Sequence, residues 1–274
     1  MRSQSTIWKL ILFVVLILTI VTLVIRGNYY DKAYVRLLDA GIFHEEVPLE
    51  RMTPTPGTMI ALTFGQSNSA NSAETLYTPH NPILNYAKGK LYVAKDPMLG
   101  ASGLGGSVWG ILGDRLVDSG LFKKVVFIPI GIGSTTISCW ADSSCNEKLI
   151  ATLKALQKNK IVLTHILWHQ GEEDGNTTKA EYKKSLGKIV ATIRSYGQQA
   201  PFYCSLASYN TKGVHLQILE AQKEFIDQTR NVLIGSRTDA ISDPGDRFQQ
   251  VHFSAQGMRK YADSWYKAIK NSVE

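Results

Sequence analysis

Five apolar runs, each followed by a stretch with helical spacing, constrain the fold of this chain more than any other feature. The runs are MIALTF (59–64), KVVFIPI (124–130), IVLTHILW (161–168), PFYCSLA (201–207) and NVLIGS (231–236). Short, continuous runs of this kind read as strands buried on both faces. Helices are expected near 107–119, 146–158, 178–196, 214–229 and 254–271. The first of them, SVWGILGDRLVDSG, spaces its apolar residues for one helix face and ends on a glycine. Strand–helix alternation predicts a three-layer α/β/α sandwich around a parallel sheet. With 274 residues, 44% hydrophobic and 19% charged, the chain can build such a core without a structural metal.

A different pattern precedes this domain. Residues Ile7 to Ile25 are apolar except for Lys9, Thr19 and Thr22. A run of that length is expected to form one transmembrane helix. No small-residue cleavage pattern follows it, so an uncleaved anchor is expected over 1–26. Basic residues flank both ends (Arg2 and Lys9 before, Arg26, Lys32 and Arg36 after), and the positive-inside rule does not set the orientation. By the precedent of signal anchors the following domain is expected outside the cytoplasm, in a periplasm or at a cell surface. Residues 27–56, with TPTPG near their end, read as a stalk, and 57–274 as the globular domain.

The formal net charge is +7, and residues 27–274 carry +4 of it. This mild excess is scattered and not interleaved with aromatics, which excludes a nucleic-acid partner. Cys139 and Cys145 bracket a short polar loop and are compatible with a small disulfide ring or with free thiols. Cys204, in an apolar run, is expected to be a buried small hydrophobe.

Ligands of open α/β sheets bind at the carboxyl ends of the strands. Three of the runs end there in polar clusters: Gly65-Gln66-Ser67-Asn68-Ser69, Gly131-Ile132-Gly133-Ser134 and His169-Gln170-Gly171-Glu172-Glu173-Asp174. A fourth, Val251-His252-Phe253-Ser254, precedes the last helix. Ser67, in a turn directly after a strand, is a candidate nucleophile needing a base, an orienting group and oxyanion donors. Ser69 stands where a G-x-S-x-G elbow requires glycine, so the α/β-hydrolase elbow is excluded. His252 is the natural base, because His44 and His80 lie outside the elements, His215 starts a helix, and His165 lies within a strand. His165 and His169 with the acids that follow would suit zinc only on a helix. The run reads as a strand, and no metal or other cofactor is expected.

The four clusters GQSNSAN, GIGSTTISCW, WHQGEED and VHFSAQG occur in the order of the blocks of SGNH hydrolases. With W-H-Q-G-E, the chain resembles the branch that holds sialate O-acetylesterases and acetylxylan esterases, over roughly residues 58–270. The resemblance implies a flavodoxin-like sheet and a serine esterase that removes acetyl or other short acyl groups from a carbohydrate through an acyl-enzyme. It implies Ser67 as nucleophile, His252 as base, and the N–H groups of Ser67 and Gly133 as oxyanion donors, completed by the Gln170 amide. The aspartate usual three residues before the histidine is replaced by Gln249. Glu172 of the W-H-Q-G-E motif is then the implied acid, with Asp246 as the alternative. Asn68 and Trp140 are candidate substrate contacts. The same residues also serve an O-acyltransferase, and the missing aspartate leaves a non-catalytic glycan-binding protein open.

Overall fold

The computed structural model describes Leu37 and residues 41–273. All five expected strands form: β2 (Thr58–Gly65), β5 (Lys124–Pro129), β6 (His165–His169), β7 (Phe202–Leu206) and β8 (Val232–Arg237). They pair in parallel in the spatial order β5-β2-β6-β7-β8.

The expectation of an all-parallel sheet is corrected. A hairpin, β3 (Leu84–Ala87) and β4 (Lys90–Val93), extends the sheet beyond β5, and β1 (Glu46–Val47) pairs with β4. β3 is parallel to β5, whereas β3–β4 and β1–β4 are antiparallel, so the eight-stranded sheet is mixed. The hairpin turns through Lys88 and Gly89, both at positive φ, the backbone a tight two-residue turn demands. β1 falls within the stretch read as a stalk, where Val47 and Met52 are buried in the core.

The expected transmembrane helix finds no support in the described residues. Among the described residues no helix is long and apolar enough to cross a membrane, and the run at 7–25 lies outside them.

Helices cover both sheet faces. One core holds Trp140, Leu149, Tyr182 and Phe225, packed on Phe64, Ile166 and Phe202 of the strands. It is covered by α2 (Ile137–Asp142), α3 (Ser144–Lys158), α4 (Lys179–Ser195) and α5 (Leu216–Gln228). The other lies beneath α1 (Val108–Asp118) and α6 (Ala255–Val273), around Trp109, Phe127, Tyr261 and Trp265. Thr178 and Glu181 form a reciprocal capping box at the start of α4. Cys139 in α2 and Cys145 in α3 are joined by a disulfide, and Cys204 is buried and free.

Candidate active site

β2 leaves the sheet at Gly65, whose φ is +128°. A Cβ there would meet the carbonyl oxygen of His169 at 2.0 Å, so only glycine lets the ends of β2 and β6 approach this closely. The chain then turns through a 3-10 segment, Ser67–Ser69, which leaves Ser67 partly exposed between buried neighbours. The Gln66 side chain ties this turn to the next loop, accepting from the N–H groups of Gly171 (3.1 Å) and Glu173 (3.3 Å).

Ser67, Asn68, Glu172 and His252 line one cavity of about 540 Å³, with Lys212 and His215 also on its wall. A larger cleft of about 790 Å³, between α1 and α6, brings none of the four strand-end clusters together.

His252 opens β10 (His252–Phe253), which pairs with β9 (Arg247–Phe248) in a hairpin. Its turn carries Gln249 and Gln250 in the left-handed region, at φ 49° and 68°. Non-glycine residues there are strained and persist only where their surroundings hold them. Gln249 brings its Oε1 to 3.3 Å from His252 Nδ1. An amide oxygen accepts from Nδ1–H and so leaves Nε2 unprotonated, the form a general base needs. Burial lowers the His252 pKa; the charge of Glu172 raises it and that of Arg247 lowers it further.

Glu172 lies behind this hairpin and is buried. Its Oε1 accepts from His169 Nε2 (2.9 Å) and Asn68 Nδ2 (2.8 Å), whereas Oε2 has no hydrogen-bond partner among the described residues. Burial alone would raise its pKa, but the charge and hydrogen bond of His169 with the Asn68 amide hold it below the usual carboxylate range. Glu172 is therefore ionised at neutral pH. Its charge raises the His252 pKa, while Gln249 occupies the hydrogen-bonding position at Nδ1.

Other expected residues are placed differently. Asp246, the alternative acid, is buried and pairs with Lys260 at 2.6 Å. Trp140 is corrected from a substrate contact to a core residue. It is fully buried, its Nε1–H donates to Thr135 Oγ1 (3.0 Å), and its ring packs against Phe64 and Trp168. The Gln170 amide is buried too, and its Nε2 donates to the Thr135 carbonyl (3.1 Å) and to Asp174. Both amide hydrogens are spent within the protein. In this arrangement Gln170 braces two loops instead of facing the cavity. His165 is a buried core residue stacked on Tyr203, and burial pushes its pKa down to about 4.

Gly133, by contrast, stands beside the serine: a Cβ on it would lie 3.8 Å from Ser67 Cβ. The N–H of Ser67 meets no acceptor among the described residues. A carbonyl seated at Ser67 thus has a backbone donor, the Ser67 N–H, beside it, as acyl transfer requires. Sequence reasoning missed two groups that shape this site. His169, a strand-end residue, locks Glu172. Arg247 donates to the carbonyls of Ile241, Thr238 and Val251 and stacks on Phe253, fixing the hairpin that carries His252.

The model of one protein family, described as carbohydrate esterase, sialic acid-specific acetylesterase, matches residues 58–271. The chain belongs to this family. It is a carbohydrate esterase, a carboxylic ester hydrolase, and its four clusters all fall inside the matched region. No curated relative matches it in sequence. Among solved structures, this esterase resembles a protein from Arabidopsis thaliana (15% identity, TM-score 0.62), with 79% of this chain and 99% of that one covered. It also resembles NanS (15%, TM-score 0.55; 79% and 97% covered) and a carbohydrate acetylesterase from Xanthomonas citri (15%, TM-score 0.52; 78% and 56% covered). At such identities these likenesses establish the fold of the esterase.

Proposed function

We propose that the protein is a serine esterase that removes acetyl or other short acyl groups from a carbohydrate through an acyl-enzyme on Ser67. The observation that carries this reading is the one cavity shared by Ser67, His252 and Glu172. His252 Nε2 takes the Ser67 proton as Oγ bonds to the acyl carbon. The carbonyl electron pair moves onto oxygen, held by the N–H of Ser67. The C–O bond to the sugar then breaks, and the sugar oxygen leaves with the proton from His252. Water repeats the sequence and releases the carboxylic acid and free Ser67.

The family description supports an acetylated sugar as substrate. The Cys139–Cys145 disulfide supports a site of action outside the reducing cytoplasm. Hydrolysis of p-nitrophenyl acetate by the full chain, with Ser67→Ala beside it, tests the mechanism. The wild type is expected to turn over, and to gain one phosphoryl adduct on Ser67 from a fluorophosphonate, read by mass spectrometry of the digest. Undiminished turnover in Ser67→Ala would sink it.

A further inference from the structure

With the Gln170 amide spent, the cavity lacks the third oxyanion donor implied by resemblance. The N–H of Gly133, one of the two remaining donors, is itself engaged. It donates to the hydroxyl of Ser102 at 2.8 Å. A Cβ on Gly133 would lie 3.7 Å from Ser102 Oγ and 3.8 Å from Ser67 Cβ, so both serines border the same small space.

Ser102 is held there firmly. Its N–H donates to the Gly131 carbonyl (2.9 Å), and its own carbonyl accepts from the N–H of Asn71 (2.9 Å). The Asn71 side chain clamps the preceding loop, donating to the carbonyls of Met98 (3.0 Å) and Ala101 (3.3 Å) and accepting from the Met98 N–H (2.8 Å). Among the described residues the Ser102 hydroxyl has Gly133 as its one hydrogen-bond partner, and in that bond it is the acceptor. Its proton therefore has no protein acceptor. A hydroxyl that already accepts a hydrogen bond becomes a better donor.

We propose that Ser102 is a catalytic residue whose hydroxyl donates to the oxyanion, with the Gly133 N–H polarising it from behind. The oxyanion hole is then the N–H of Ser67 and the O–H of Ser102. This inference rests on the serine-esterase reading above and assigns a donor that the four sequence clusters do not contain. The step moves no electrons beyond those of the acyl transfer already written: the Ser102 proton stays on its oxygen while its hydrogen bond to the substrate oxygen strengthens.

The test compares Ser102→Thr with Ser102→Val in the full chain, a pair of nearly equal shape that differs in the hydroxyl. The Thr variant is expected within a few-fold of wild-type kcat, and the Val variant to lose on the order of 10²-fold in kcat with little change in KM. Ser102→Ala is expected to match Val, with an unchanged Tm. Equal kcat for Thr and Val overturns the proposal, as does a rise in kcat in Ser102→Ala, which would make the hydroxyl a plug on the Gly133 N–H. Failure of the underlying reading is separately visible, because it would appear as undiminished turnover in Ser67→Ala whatever Ser102 does.

Discussion

Asn68 Nδ2 donates to Glu172 Oε1 at 2.8 Å, and the same amide group donates to the carbonyl of Val251, next to His252, at 3.1 Å. One neutral side chain thus joins the buried carboxylate to the hairpin that carries His252. The charge of Glu172 raises the His252 pKa, while Gln249 accepts at the imidazole Nδ1. Where the resemblance places an aspartate, His252 meets two groups, one at hydrogen-bonding distance and one whose charge raises its pKa.

That division predicts a pH profile. The folded pKa of His252 lies below 6.5, chiefly because burial disfavours the imidazolium. The rate is lost as pH falls through that pKa, so the acid limb of kcat/KM is expected to have its midpoint below 6.5. Glu172 raises the His252 pKa, so Glu172→Gln should move the limb to still lower pH and reduce kcat by roughly 10-fold or more. Kinetics of p-nitrophenyl acetate hydrolysis from pH 4.5 to 8 check both shifts. A limb that moves upward in Glu172→Gln would exclude the carboxylate from this role.

Gly133→Ala separates fold from site. The φ of Gly133 lies outside the left-handed range, and the added methyl would meet Ser102 Oγ and Ser67 Cβ at ordinary contact distances. Tm is expected to stay near that of the wild type, while kcat falls on the order of 10²-fold because the methyl enters the space an oxyanion must use. Thermal melts and steady-state kinetics on one preparation read the two effects.

Gln170→Leu should do the reverse. The Gln170 amide has both hydrogens on Thr135 and Asp174, and its Oε1 accepts from Tyr182 at 3.0 Å. Its loss leaves the buried Thr135 carbonyl short of a donor, at about 1–3 kcal/mol, while the Asp174 carboxylate keeps Ile137 and Thr177 and the Tyr182 hydroxyl keeps the Gln170 carbonyl and Gln222. Urea melts are expected to show a stability loss of that order, with kcat reduced less than in Ser102→Val. A stable Gln170→Leu with a collapsed kcat would return the amide to the oxyanion hole.

Opening the Cys139–Cys145 bridge by Cys139→Ser and Cys145→Ser frees a loop of sequence separation 6. Chain entropy assigns such a loop about 2 kcal/mol. Chemical denaturation should show that loss. Activity should persist, because neither cysteine lines the cavity of Ser67 and His252.

The central strands were legible because each is an unbroken apolar run, which a parallel sheet buried on both faces demands. The hairpin Leu84–Val93 was not. Its strands have four residues each, Asn85 and Lys90 interrupt their apolar pattern, and only the Lys-Gly turn marks it. Trp140 was misplaced because its segment is polar in composition, yet α2 buries just Ile137, Trp140 and Ala141, the spacing of one helix face. Ser67, His252 and Glu172 could be named because each stands in a motif at a strand end or helix start, and the fold brings them to one cavity. The competition for the Gln170 amide could not be read, since it depends on where Thr135 lies in space. Ser102 was invisible for the same reason: its contact with Gly133 spans 31 residues and leaves no pattern in either segment.

The cross-braces among the strand-end loops also limit how this esterase can change over generations. Gln66 holds the loop after β6, Asn68 the hairpin of His252, Asn71 the loop of Ser102, and Asp174 the first N–H of α2. A substitution at any of these disturbs two loops at once, so the machinery must be inherited as a block. Asn176, Thr211 and Lys212 line the same cavity from exposed positions. Preference for one acylated sugar over another can drift there, residue by residue, while the chemistry beneath stays unchanged.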